Sequence, residues 1–187
     1  SPSINGQLFD AGDEIVCIVT PNDGEEDGLP VSSTPIVIGN SAPSIASVVI
    51  GPNNPNELST ITATVSGWMD DDGDTPVYRY QWFVNSVPTS TASRINGGFF
   101  SRGDLVQLDV TPFDGIIEGP TVRSNQLTIG NAPPVVVSAS LSPNPAFAPD
   151  TLTATVTGWF DADGDAPGYI FDWYVNSTLR SASTNQL

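Results

Sequence analysis

Displaced by 91 residues, this chain of 187 falls onto itself without a gap. Gly67-Trp68 lands on Gly158-Trp159, Asp70-Asp71-Asp72-Gly73-Asp74 on Asp161-Ala162-Asp163-Gly164-Asp165, and Trp82-Phe83-Val84-Asn85-Ser86 on Trp173-Tyr174-Val175-Asn176-Ser177. The same displacement carries Gly12-Asp13 onto Gly103-Asp104, Thr20-Pro21-Asn22-Asp23-Gly24 onto Thr111-Pro112-Phe113-Asp114-Gly115, and Gly39-Asn40 onto Gly130-Asn131. Self-similarity at a fixed spacing marks a tandem array of like units, each with its own core. The spacing predicts one complete unit over 40–130, the C-terminal part of a preceding unit over 1–39, and the N-terminal part of a following one over 131–187. The two outer parts are complementary, because 131–182 followed by 1–39 spells one full period. Two readings stay open: the residues are an excerpt of a long periodic chain, or neighbouring subunits share a split unit by strand complementation.

Within one period, apolar residues alternate with polar ones, as they do in a strand with one wet face. Ile61, Ala63 and Val65 point one way and Thr60, Thr62, Thr64 and Ser66 the other. Tyr80, Trp82 and Val84 form a second inward set, repeated as Phe171, Trp173 and Val175. Val106, Leu108 and Val110 form a third, Leu127 and Ile129 close the unit, and Ala46, Val48 and Ile50 open it. The 17 Gly and 17 Pro residues chop the chain into short pieces separated by turns. Six or seven short strands per period, with no helical pattern, predict an all-β fold of the two-sheet sandwich kind.

The charge balance excludes several functions. With 21 acidic residues against 5 basic ones, the formal net charge is -16, which repels nucleic acid and anionic membranes and favours cations as small partners. No apolar run approaches the length needed to cross a bilayer, so no membrane insertion is expected in this segment. The opening Ser1-Pro2-Ser3-Ile4 has neither an initiator Met nor a signal-like stretch, and a start inside a longer or processed protein is expected. There is no histidine for general-base work, and acid pairs sit in repeated loops rather than one cleft, so an enzyme is not expected. The polar, acidic, Lys-poor surface points to an extracellular or cell-surface setting.

The acidic loops carry the chemistry. Asp70, Asp72 and Asp74 alternate around Gly73, which permits a tight turn, and such carboxylates converge on one hard cation. Calcium takes about six to eight oxygens, and repeated Asp side chains with nearby carbonyls supply them. Asp161, Asp163 and Asp165 repeat the pattern. The bland alternative is that these residues are solvated turn formers at strand ends.

The ordered set of a Gly-Trp, an Asp-x-Asp-Gly-Asp loop, an aromatic-x-Trp-aromatic-Val-Asn strand, a Gly-Asp before a strand ending Val-Thr-Pro, and a closing Asp-Gly hairpin resembles the tandem Ig-like repeats of large bacterial surface proteins. These are similar in turn to PKD-like and cadherin-like modules. The resemblance implies immunoglobulin-like β-sandwich repeats with Trp82 and Trp173 in their cores. It implies that Asp114, and with it Glu118, lies at the same end as Asp70, Asp72 and Asp74, beside the Gly39-Asn40 linker, where calcium would stiffen the junction. It places Cys17, the counterpart of Leu108, on an inward strand, either as a buried free thiol or paired to an upstream cysteine. The function implied is a structural repeat of an extracellular filament, stalk or adhesin shaft, with neighbouring repeats or subunits of the same protein as partners. The linkers Asn40 to Pro43 and Asn131 to Pro134 would limit bending. The alternative is a carbohydrate-binding module, with Phe83 and Tyr174 stacking on glycans, or a spacer of a secreted hydrolase.

Two short motifs invite over-reading. Arg102-Gly103-Asp104 spells an adhesive tripeptide, but its counterpart is Ala11-Gly12-Asp13, so only the Gly-Asp turn is maintained and the Arg is expected to be incidental. Asn176-Ser177-Thr178 is a glycosylation sequon whose counterpart Asn85-Ser86-Val87 is not one.

Overall fold

The computed structural model describes residues 2–186, with side chains described as far as Arg180. The chain is all-β: apart from one 3-10 turn at Gly6–Leu8, every regular element is a strand, and every strand pairing is antiparallel. The first segment holds β1 (Glu14–Ile15), β2 (Ile18–Val19), β3 (Val31–Ser32) and β4 (Ile36–Val37). The middle segment holds β5 (Ser47–Gly51), β6 (Thr60–Ser66), β7 (Val77–Val84), β8 (Val87–Ser90), β9 (Arg94–Asn96), β10 (Leu105–Phe113), β11 (Val122–Arg123) and β12 (Leu127–Thr128). The last segment holds β13 (Ser138–Ser142), β14 (Thr153–Thr157), β15 (Gly168–Val175) and β16 (Thr178–Gln186).

Two sheets form in the middle segment, one of order β5-β6-β9 and one of order β11-β10-β7-β8 with β12 also on β10. Their apolar faces meet in a single cluster: Val48, Ile50, Ile61 and Ile95 from the first, Trp82, Val106, Leu108, Val110 and Leu127 from the second. The alternation in the sequence is the cause, since a strand sends every second side chain to one face. β10 shows it most cleanly, with Val106, Leu108, Val110 and Pro112 buried and Gln107, Asp109, Thr111 and Phe113 half-buried between them. Trp82 is fully enclosed, and its indole N–H donates to the Ala92 carbonyl at 2.7 Å, so its one polar atom is satisfied.

Asn125 ties the two sheets at an edge. Its side chain accepts from the Ile50 N–H at 2.8 Å and donates to the Ile50 carbonyl at 3.3 Å, acting as a one-residue extension of β5. Beside it, the buried Ser124 hydroxyl accepts from the Leu108 N–H at 2.9 Å, filling the gap where β11 leaves β10 and β12 takes over.

The outer segments are two-stranded pieces: β1 with β4, β2 with β3, β13 with β14, and β15 with β16. Among the described residues no second sheet faces their apolar side chains. Ile18, Val19, Val31, Ile36 and Val37 are exposed, and Trp173 is only half-buried where Trp82 is enclosed. Cys17 departs from the expectation of a buried thiol: it is free and exposed, because β2 packs on β3 alone. Local geometry nonetheless recurs at the 91-residue spacing. The Ser47↔Ser66 pair of β5 and β6 has its counterpart in Ser138↔Thr157 of β13 and β14, and Gly67 and Gly158 share φ of +72°.

Candidate metal centre

In the register of β10 on β7, Phe113 pairs with Val77, the last residue of one strand with the first of the other. The loop entering β7 and the loop leaving β10 therefore emerge at the same end of the sheet. The first carries Asp70, Asp72 and Asp74, the second Asp114 and Glu118, and the linker from Gly39 arrives beside them.

The entering loop is shaped by its own first carboxylate. Asp70 Oδ1 accepts the backbone N–H of Asp72 at 2.9 Å and of Asp74 at 3.3 Å, while Gly73 takes φ of +77°, a conformation side-chain-bearing residues rarely adopt. Trp68 closes the base, its indole N–H donating to the Asp74 carbonyl at 3.2 Å and its ring packing edge-on to Tyr78. In the leaving loop, Asp114 Oδ1 accepts from the N–H groups of Ile116 and Ile117, both at 2.7 Å, and its Oδ2 accepts from the Asn40 side-chain amide at 2.8 Å.

The outcome is a trio, not a quartet. Asp70, Asp74 and Asp114 each place a carboxylate oxygen within 4.8 Å of the others. Asp72 stands apart, because its Oδ2 accepts from the Ser41 N–H at 2.6 Å and so fastens the linker. Glu118 is drawn away to Arg79 at 2.7 Å. Two buried oxygens at this end, Asp70 Oδ2 and Asn40 Oδ1, have no hydrogen-bond partner among the described residues. A buried acceptor left unpaired costs about 1–3 kcal/mol, and a cation repays that cost. Three converging carboxylates, all hard oxygen donors, fit a divalent ion.

Without a counter-charge the trio is under electrostatic load. Burial, reinforced by Asp70, Asp114 and Asp72, pushes the Asp74 carboxyl above its ordinary range. Burial pushes Asp114 upward too, but the N–H groups of Ile117 and Ile116 and the Asn40 amide outweigh it and hold that carboxyl below its ordinary range.

The second acidic loop copies the first. Asp161 Oδ1 accepts from the N–H of Asp163 and of Asp165, Asp163 Oδ2 accepts from the Ala132 N–H at 2.6 Å, and Trp159 donates to the Asp165 carbonyl at 3.3 Å. Asp161, Asp163 and Asp165 form its trio, again within 4.8 Å, and Asp163 Oδ1, on a side chain only 1% exposed, has no hydrogen-bond partner among the described residues. In this centre Asp163, the counterpart of Asp72, belongs to the trio in place of any counterpart of Asp114, and a basic side chain is added. Arg102, expected to be incidental, grips Asp165 with both Nη atoms, at 2.6 and 3.1 Å, and Asn131 Oδ1 with Nη1 at 2.5 Å. The hydrogen bond from Arg102 is the largest influence on the Asp165 carboxyl and, aided by the Arg102 charge, holds it below its ordinary range against the upward push of burial.

Of the seven Asp singled out in the sequence, six fall into the two trios, and Asp72 instead anchors the linker. Asn40 and Arg102 escaped that reading. Asn40 had a signal, its recurrence as Asn131; Arg102 had none, since Ala11 stands in its place. Phe83, offered as a sugar platform, lies beneath the Arg123 guanidinium at 5.0 Å. No protein-family model, curated protein or solved structure matches the chain.

Proposed function

We propose that the chain is a structural spacer: immunoglobulin-like sandwich units of 91-residue period, strung end to end in an extracellular filament, stalk or adhesin shaft, with calcium stiffening the joints. One observation carries this reading. The linker residues Asn40 and Ser41 are hydrogen-bonded to Asp114 and Asp72, which lie at the same acidic end as Asp70 and Asp74. An ion drawing Asp70, Asp74 and Asp114 together therefore also fixes where the linker leaves. Recurrence of that linker contact at Ala132 and Asp163, 91 residues on, supports a device built into every joint. The acidic surface favours a cation partner, and the two-sheet core of the middle segment supports a self-contained unit.

Calcium is favoured over magnesium by the donor set, because clustered carboxylates suit its larger, more flexible shell, whereas magnesium keeps its waters. The test is calorimetric titration of the metal-stripped chain with calcium, together with its melting temperature. Saturable heat and a higher melting temperature are expected. A flat titration with an unmoved melting curve ends the calcium reading.

A further inference from the structure

The two joints share a backbone platform, on which the residue ahead of the turn differs. Before the first linker, the Gly12 N–H donates to the Ile38 carbonyl at 2.9 Å and the Ile38 N–H to the Asp13 carbonyl at 2.8 Å. Before the second, Gly103 donates to Ile129 at 2.8 Å and Ile129 to Asp104 at 2.9 Å. In each case a Gly-Asp turn is pinned to the strand that runs into the linker. The residue ahead of the turn is Ala11 in the first and Arg102 in the second.

Arg102 is held from both sides. Its own N–H donates to Glu57 Oε1 at 2.8 Å, and the turn is closed by Asp104 Oδ2 accepting from the Ser101 N–H at 2.8 Å. From that base the guanidinium crosses the linker to Asn131 and Asp165, with Asp163 at 3.9 Å. A guanidinium fork on a carboxylate is a directional, two-bond contact. It joins residues on either side of the joint and places one positive charge against three acids. No basic side chain pairs with Asp70, Asp74 or Asp114 among the described residues.

We propose that Arg102 is a cation built into the chain, which clamps the second joint in the absence of metal and competes with a divalent ion for Asp165, whereas the first joint has no basic side chain in that place and stiffens with the ion. This rests on the calcium reading only for what happens at the first joint and after Arg102 is removed. The chain then has two kinds of joint, one stiff at all calcium levels and one that stiffens with calcium.

The experiment measures distances between spin labels across each joint in the full chain carrying Cys17→Ser. Labels at Thr34→Cys and Thr89→Cys span the first joint, and labels at Thr89→Cys and Ser140→Cys span the second; all these positions are exposed. Circular dichroism and the unfolding midpoint confirm that each variant folds. In chelator, a narrow distribution is expected across the second joint and a broad one across the first, with calcium narrowing the first. Arg102→Ala is expected to lose the narrow second distribution in chelator and recover it with calcium, with one more calcium bound per chain than in the wild type. Arg102→Lys, which keeps the charge but loses the fork, is expected to fall between. A second joint as narrow in Arg102→Ala as in the wild type without metal overturns the clamp. So does a wild-type second joint that broadens when calcium is stripped. If Arg102→Ala broadens but calcium narrows neither joint, the clamp stands and the calcium reading falls.

Discussion

Trp82 shows what one residue can be asked to carry. It is fully enclosed between the two sheets and spends its indole N–H on Ala92. Trp82→Ala is expected to cost about 3–5 kcal/mol in chemical denaturation, while Trp173→Ala, at a half-buried site, costs clearly less. A second substitution separates charge from shape. Asp74 sits among Asp70, Asp72 and Asp114, so Asp74→Asn relieves repulsion and is expected to raise the melting temperature in chelator while abolishing the rise caused by calcium. If calcium still raises the melting temperature of Asp74→Asn as in the wild type, the trio is not the binding site. At this scale, inward parity was legible because alternation of Val106, Leu108 and Val110 with polar neighbours has only one physical cause. The split of labour between Asp70 and Asp72 was not legible. Alternate spacing says that both reach one region, but which oxygen meets Ser41 depends on where the linker passes. Arg102 was hidden for the opposite reason, since a side chain that occurs once leaves no trace in a repeat.

Elements meet at the acidic end through very close backbone approach. Gly119, in the loop leaving β10, donates to the Pro112 carbonyl at 2.9 Å and faces Pro43 in the linker. A Cβ on Gly119 would lie 1.7 Å from the Pro43 carbonyl oxygen, which is backbone and cannot swing aside. Gly119→Ala therefore forces the loop, and Asp114 with it, away from the linker. The expected result is a loss of about 1–3 kcal/mol and a smaller calcium response, although no ligand has been altered. A calcium response equal to wild type would mean that the Asp114 loop is positioned independently of the linker. The meeting of these loops was legible in the sequence only through the resemblance to Ig-like modules. No local pattern dictates that the end of β10 pairs with the start of β7 at Phe113 and Val77; that register belongs to the whole sheet.

For the whole molecule, the 91-residue period makes a claim that goes beyond any one segment. In the middle segment β10 and β7 align Leu108 with Trp82 and Val110 with Tyr80. Carried along by the period, those pairs become Cys17 with Trp173 and Val19 with Phe171, which lie in different outer segments. Val19 is exposed where its counterpart Val110 is fully buried. A polypeptide of residues 131–182 joined directly to 1–39 contains the sequence counterpart of every residue of 40–130, in the same order. It is expected to unfold cooperatively, to bury Trp173, and to keep Cys17 unreactive toward thiol reagents until it unfolds. It also brings Asp23, whose Oδ1 accepts from the N–H groups of Glu25 and Glu26 at 3.0 Å as Asp114 does from its own loop, to the Asp161, Asp163 and Asp165 end. With Arg102 absent from this polypeptide, that end is expected to show saturable heat in a calcium titration. A Cys17 that reacts as fast as in the denatured chain would mean that the period describes sequence alone and not a folding unit.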